Sequence, residues 1–190
     1  MICFIVGAKW SNVNLGQIAF TVQESDIGTI VIVVKDSRLV SIDVSKEPIL
    51  KVQKQMRAVY PQGTESATIF KTLLPMINLY LRGNKVEFAI DLDWNGLSDF
   101  GRSVLEETRK IPYGRVSTYG SLGRRLGYAN AARAVGQALG RNPFPLVVPC
   151  HRVLRGDGTL GGFSMGLGLK EKLLSLEGVS LGRVQDFLFR

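Results

Sequence analysis

Residues 118–139 read Thr118-Tyr-Gly-Ser-Leu-Gly-Arg-Arg-Leu-Gly-Tyr-Ala-Asn-Ala-Ala-Arg-Ala-Val-Gly-Gln-Ala-Leu139. Thr118–Leu126 predicts one short helix, Gly127-Tyr128 a tight turn, and Asn130–Leu139 a second helix. Two short helices around a glycine-bearing turn fit a helix-turn-helix, although an ordinary helical hairpin carries the same pattern. The second helix is built from Ala131, Ala132, Ala134, Gly136 and Ala138, with Arg133 as its one long cation. Such a face lets the backbone approach another surface closely. That surface is either a nucleic-acid groove or a neighbouring helix, and composition alone does not choose.

Charge narrows the choice. The chain has 190 residues and a net charge of +8. Residues 96–190 carry 14 basic and 7 acidic side chains, against 10 and 9 in residues 1–95. Between Thr108 and Gly156 there is no acidic residue, while Arg109, Lys110, Arg115, Arg124, Arg125, Arg133, Arg141, Arg152 and Arg155 all occur there. A one-sided basic surface favours a polyanion such as nucleic acid over a merely solvated face.

Upstream of this stretch, Phe100, Val104 and Leu105 mark a helix running to about Lys110, closed by Ile111-Pro112-Tyr113-Gly114. A boundary near Asp91–Gly96 separates an N-terminal α+β domain, residues 1–91, from a mostly helical C-terminal domain, residues 92–190. In the first domain Ile2–Val6, Ile18–Val22 and Thr29–Val34 read as strands. Lys46–Tyr60 and Glu65–Leu81 read as helices, the second kinked or interrupted at Pro75. Two cysteines, Cys3 and Cys150, make no disulfide framework, and with one histidine a Cys/His metal site is excluded. No segment has the length of a membrane span or the pattern of a signal peptide, so a reducing, cytoplasmic compartment is expected. Cys3 reads as a buried structural thiol in the first strand.

Downstream lies Val147-Val148-Pro149-Cys150-His151-Arg152-Val153, where the sole histidine follows a cysteine. A thiol beside the one group that titrates near neutrality suggests an activated nucleophile. An inert buried cysteine is the alternative. Pro149 biases its predecessor towards extended structure, in which neighbouring side chains diverge. Cys150 and His151 would then need a water relay, or a turn at this point. Glu177 is a candidate third member, set at the end of a helix Leu169–Glu177 before Gly178. A carboxylate there opposes the helix dipole, which hints at a task besides solubility.

The segment Pro149–Val153 resembles the active-site signature of the O6-alkylguanine-DNA alkyltransferases, the methylated-DNA–protein-cysteine methyltransferases. The resemblance extends through Ile111–Gly114, Ser117–Gly120, Ala131–Gly136, Asn142-Pro143, Gly162–Ser164, Lys170–Leu174 and Glu177-Gly178. It covers about residues 92–182. Residues 1–90 share only the general character of that family's ribonuclease-H-like N-terminal domain.

The resemblance implies an α+β protein whose C-terminal domain holds a winged-helix-like helix-turn-helix. It implies irreversible, stoichiometric transfer of an alkyl group from O6-alkylguanine, and O4-alkylthymine, in double-stranded DNA to the Cys150 thiol. No cofactor and no metal are expected, and the protein would act as a monomer, cytoplasmic or nuclear according to the cell. His151 would take the thiol proton, Glu177 would orient the imidazole, Asn142 would brace the turn, and Tyr119 would bond and help protonate the leaving guanine. Arg133 would fill the stack behind a flipped nucleotide, with Tyr119, Gly120, Tyr128, Ala131, Ala132 and Gly136 on the DNA. Pro145, Val153, Phe163, Ser164 and Met165 would line the base pocket, with Met165, where the family often has glycine, narrowing it against large adducts such as benzyl. Two other classes share some of these features. One is a lesion-binding protein that flags damage without chemistry, of which the family's relatives replace the cysteine. The other is a cysteine hydrolase, which leaves the Arg133 helix without a role.

Overall fold

The computed structural model describes residues 18–64, 68–181, 188 and 189. The expected strand Ile2–Val6, with Cys3, lies outside them. The chain divides into two compact units, one holding the residues up to Asn78 with Glu87–Gly96, the other Leu79–Val86 with Leu97 onward.

The first unit is built on an antiparallel meander, β1 (Ile18–Ser25), β2 (Gly28–Lys35) and β3 (Arg38–Ser45). The β2–β3 turn places Asp36 and Ser37 at φ +48° and +64°, the twist that a two-residue hairpin needs. The third strand was not expected, because Ser41, Asp43 and Ser45 interrupt its apolar residues. Its alternation is the period of a strand and not of a continuous apolar run. Each sheet edge is met near one end by a single bridge, Thr64 to Ala19 beside β1 and Leu92 to Leu39 beside β3.

Helix α1 (Ile49–Val59) packs Val52 and Met56 onto Phe20, Val31, Val33 and Val40. It starts three residues later than the expected Lys46, because Pro48 is its N-cap and the residue before a proline avoids helical geometry. Helix α2 (Thr68–Leu81) runs without interruption through Pro75. Its last turn belongs to the second unit, and so carries Tyr80 there.

In the second unit, α3 (Asp99–Arg109) is capped by Ser98, whose hydroxyl accepts from the Gly101 amide at 3.1 Å. Asp99 and Arg109 sit at the ends where the helix dipole favours them. The two-residue strands β4 (Ser117–Thr118) and β5 (Val153–Leu154) pair in parallel. Thr118 is not helical but caps α4 (Tyr119–Arg125), accepting from the Ser121 amide at 3.1 Å. Gly127, at φ +85°, makes the turn into α5 (Ala132–Gly140). Leu122 of α4 and Val135 and Leu139 of α5 are buried, so the small residues of α5 flank an apolar seam. Helix α6 (Leu167–Leu176) closes the unit, and its Leu174 packs with Val116, Leu154 and Val179. Among the described residues no helix is long and apolar enough to cross a membrane.

Truncating Met56 to alanine should destabilise the first unit by about 2–5 kcal/mol, the usual cost of a buried methionine replaced by a cavity. Urea unfolding reads it as a lowered midpoint at unchanged slope, and a loss well under 1 kcal/mol would contradict the packing described for α1.

Candidate active site

Pro149 turns the chain, and Cys150–Arg152 form a single 3-10 turn instead of an extended strand. The Arg152 amide donates to Pro149 O at 2.9 Å. With about three residues per turn, successive side chains leave in directions far apart. All three residues are buried, but Cys150 alone of them contributes to the lining of a cleft. The divergence expected of an extended strand is thus achieved by a turn.

The segment leading into this turn is held from Asn142. Its Nδ2 donates to Val148 O at 3.0 Å and to Cys150 Sγ at 3.1 Å, and its Oδ1 accepts from the Phe144 amide at 2.9 Å. Buried Leu146, between these bonds, has φ +72°. A left-handed leucine costs on the order of 1–3 kcal/mol and persists only where the surroundings impose it.

Glu177 is the C-cap of α6. Gly178 N donates to Ser175 O and Val179 N to Leu174 O, the paired bonds of a Schellman stop, with Gly178 at φ +76°. The side chain this fixes is fully buried. Arg152 grips it with Nε, 3.1 and 2.9 Å from Oε1 and Oε2, and Nη2, 2.8 Å from Oε1. The Gly114 amide donates to Oε2 at 3.1 Å, and the Tyr80 hydroxyl donates to Oε1 at 2.6 Å. His151 Nε2 lies 2.9 Å from Oε1 and 3.1 Å from the Tyr80 oxygen. The dipole conflict read from sequence is therefore answered by a dedicated guanidinium.

Burial alone would raise the Glu177 pKa, but the His151 and Arg152 bonds and charges outweigh it and bring it down to about 2. Burial lowers the pKa of His151, against the pull of Glu177, so the imidazole is neutral at rest. With Nε2 directed at Glu177, the ring's Nδ1 is buried without a protein partner among the described residues. Burial raises the Cys150 thiol, opposed by the Asn142 bond and the charge of Lys170. The resting sulfur is thus a thiol that needs a base before it can act.

Lys170 of α6 is fully buried and was given no role by sequence reasoning. Its ammonium donates to Val153 O at 2.6 Å, to Leu160 O, and to Gly162 O at 3.3 Å. Burial brings its pKa down to about 8, despite the opposing effect of Cys150. It fastens the loop that carries Phe163 and Ser164 to α6. Tyr80 was missed as well: it lies 97 residues from Glu177, and nothing in its local pattern signals the contact.

The cleft is about 1120 Å³ and is lined by Tyr119, Gly120, Ala132, Arg133, Gly136, Cys150, Phe163 and Ser164 among others. The Tyr119 hydroxyl donates to Gly162 O at 3.3 Å. Gly161, at φ +66°, lets the chain pass so close to the Tyr119 ring that a Cβ would come within 2.8 Å of it. Arg133 is exposed on α5. Pro145 and Val153 do not line the cleft and are buried in the protein. Met165 does not line it either, so the expected narrowing by this side chain has no counterpart in the cleft. Ala131 caps α5 outside the lining, and Tyr128 stacks edge-on against Phe100 at 5.5 Å. Of the nine cations, Arg152 is consumed by Glu177, and Arg125 and Lys110 pair with Glu107, each at 2.8 Å. Among the described residues no group of three or more His, Cys, Asp or Glu could hold a metal ion.

Replacing Glu177 with glutamine leaves the buried Arg152 charge uncompensated and should cost about 3–5 kcal/mol at neutral pH. Because the folded pKa of Glu177 lies below its ordinary 4.5, its contribution is complete above that pH and disappears as pH falls toward about 2. The stability gap between wild type and Glu177→Gln should therefore shrink with acidification across that window in denaturant titrations, and a gap constant with pH would contradict the assignment.

Comparison with known proteins bears on the family and the fold. Residues 99–179 match the family model of the 6-O-methylguanine DNA methyltransferase DNA-binding domain, and residues 18–94 that of its ribonuclease-like domain. A methylated-DNA–protein-cysteine methyltransferase of Methanothermobacter thermautotrophicus is 42% identical over 123 residues, 64% of this chain and 69% of that protein. A Thermus thermophilus protein named as a DNA base-flipping protein is 42% identical over 131 residues, 68% of this chain and 88% of its own length. The crystal structure of a Mycobacterium tuberculosis relative in complex with DNA superposes with a TM-score of 0.72 at 31% identity, covering 84% of this chain and 92% of that one. Matched in both its halves and along most of its length, the chain belongs to the 6-O-methylguanine DNA methyltransferase family.

Proposed function

We propose that this protein repairs DNA by moving an alkyl group from O6 of guanine onto Sγ of Cys150, once per molecule. The observation that carries the reading is a thiol on the cleft surface, bonded by Asn142 and followed in the chain by a buried imidazole with a free Nδ1 backed by Glu177. His151 Nδ1 takes the thiol proton through an intervening water. The thiolate attacks the alkyl carbon, the C–O6 bond breaks, and its electron pair leaves with guanine. The Tyr119 hydroxyl, whose pKa burial raises so that it keeps its proton at neutral pH, donates to the departing base. Glu177 offsets the positive charge gained by His151. The product is a thioether, from which a thiolate leaves poorly, and the protein is spent.

Cys150 is only 6% exposed, so a stacked base cannot reach it and the nucleotide must leave the helix, at a cost of a few kcal/mol. Arg133 stands exposed where it can enter the vacated stack, and the short side chains of α5 suit a close approach to the minor groove. Arg124 and Arg155 on the cleft wall provide phosphate contacts that do not select sequence. The Mycobacterium tuberculosis relative crystallised with DNA supports DNA as the partner. O4-alkylthymine presents the same alkyl–oxygen bond beside a ring nitrogen and is included as a substrate. The similarity to a base-flipping protein favours a second reading, lesion binding without transfer. The prepared thiol favours transfer.

Incubating the protein with duplex DNA containing O6-methylguanine should add one methyl group to the peptide bearing Cys150, read by mass spectrometry. Bound DNA with an unmodified peptide would sink transfer and promote lesion flagging. Cys150→Ala should still bind the lesion while transferring nothing. Arg133→Ala should slow transfer from duplex DNA about tenfold to a hundredfold, the cost of unstacking left uncompensated, yet spare transfer from the free base; equal losses on both would refute the stack-filling role.

A further inference from the structure

Tyr80 reaches the catalytic network from α2, far from it in sequence. Its side chain is fully buried, with the ring edge-on to Tyr113 at 6.2 Å. Its hydroxyl is within bonding distance of two partners at once, Glu177 Oε1 at 2.6 Å and His151 Nε2 at 3.1 Å. A hydroxyl has one proton to donate and lone pairs to accept with. The carboxylate can only accept, so the Tyr80 proton goes to Glu177 and the Tyr80 oxygen accepts from Nε2. Burial and the Glu177 charge both raise the phenol pKa, which keeps it a donor throughout the working range.

We propose that Tyr80 is a positioning residue for the His151 base, its hydroxyl fixing the tautomer with the proton on Nε2 and the lone pair on Nδ1 while restraining the basicity of the ring. The proposal rests on the reading of His151 as the base for Cys150. Two acceptors, the Tyr80 oxygen and Glu177 Oε1, converge on Nε2, and a ring protonated at Nδ1 alone would offer both of them a lone pair. The restraint acts through Glu177. Oε1 serves His151, Arg152 and Tyr80 together, and a short bond from Tyr80 withdraws charge that would otherwise stabilise the imidazolium. Nε2 keeps its proton in the neutral and charged ring alike, so its longer bond to Tyr80, 3.1 Å, is strengthened on protonation but not newly made. The shorter 2.6 Å bond draws charge from Oε1, the anion that faces the ring, and we take it as the larger effect.

The remaining groups around the ring push the same way or are already matched. Arg152, on the same turn, and Lys170, on α6, both disfavour the imidazolium, while Glu177 at the end of α6 favours it. Cys150 precedes it in the turn, and Tyr113 lies behind Tyr80. Among the described residues, Tyr80 is the neutral group whose side chain bonds both Glu177 and His151, while the Gly114 amide reaches Glu177 alone. A base held too strongly would be protonated before the lesion arrives and unable to accept the thiol proton.

His151 is the sole histidine of the chain, so its two ring nitrogens give unambiguous signals in the full-length protein labelled with 15N-histidine. Wild type should show protonated Nε2 and unprotonated Nδ1 near neutral pH. Tyr80→Phe, which deletes only the hydroxyl, should raise the imidazole midpoint by about one pH unit, and the acid limb of the single-turnover transfer rate should move by the same amount while affinity for undamaged duplex is unchanged. Should Tyr80→Phe fail to fold, 3-fluorotyrosine placed at position 80, a stronger donor of similar size, should move the midpoint the opposite way. An unmoved tautomer and midpoint would overturn the proposal, as would a rate loss equal at every pH, which marks a merely structural role. The nuclear resonance reads His151 whether or not alkyl transfer occurs, so a wild type that titrates as described but transfers nothing would refute the proposed function and leave standing only the control of the His151 tautomer and midpoint by Tyr80.

Discussion

A carboxylate is buried at the carboxyl end of α6, where the helix dipole repels it, and the surroundings of Cys150 are arranged to keep it charged. Arg152 gives the carboxylate more hydrogen bonds than any other group in that arrangement. Isolated in the interior, either ion would be prohibitive, but together, with Gly114, Tyr80 and His151 filling the remaining acceptor sites, they form a satisfied network. Arg152 is also two residues from the sulfur. On the proposed reading, one turn of chain therefore carries the nucleophile, the base and the cation that anchors the base's partner. Its Nη1 bond to Ile111 O at 2.6 Å ties the same turn to the segment after α3.

From that anchor the functional geometry extends outward. The turn sets Cys150 on the cleft, Asn142 holds the chain entering it, and Lys170 ties down the loop that forms another wall. On the proposed reading the chemistry needs little more from the protein. One methyl group moves once, so no group has to restore the thiol, and the demands fall on exposing the base and making the thiolate at the right moment. The neutral imidazole and the protonated thiol describe a sulfur that is quiet until a substrate is seated. This suits a reagent that cannot be regenerated.

Much of the site was legible in the sequence, because it is local. Cys150 and His151 are consecutive, and Glu177 is marked by Gly178 and by its conflict with the dipole, whereas Arg152, counted with the basic surface, is buried against Glu177. The helix-turn-helix was marked by Gly127 and by small residues at helical spacing. What escaped notice depends on tertiary contact. Tyr80 acts through a hydroxyl brought to Glu177 by the last turn of α2, and no period or spacing records that. Lys170 looks like an ordinary helical lysine until its ammonium is seen among three carbonyls. The strand β3 was lost because its serines and aspartate hid it from a search for apolar runs. Met165 illustrates the opposite error: its neighbour Ser164 lines the cleft, but Met165 does not.

The claim on which the account turns is that the Cys150 sulfur is consumed. Titrating the protein with excess duplex DNA containing O6-methylguanine, and counting methyl groups lost from the DNA per protein molecule, tests it most directly. The account predicts a count that rises to one and stops, with no further loss however long the incubation. A count that climbs beyond one would mean the thiol is regenerated, and a count of zero with DNA bound would mean it never reacts; either would contradict the chemistry assigned to this cleft.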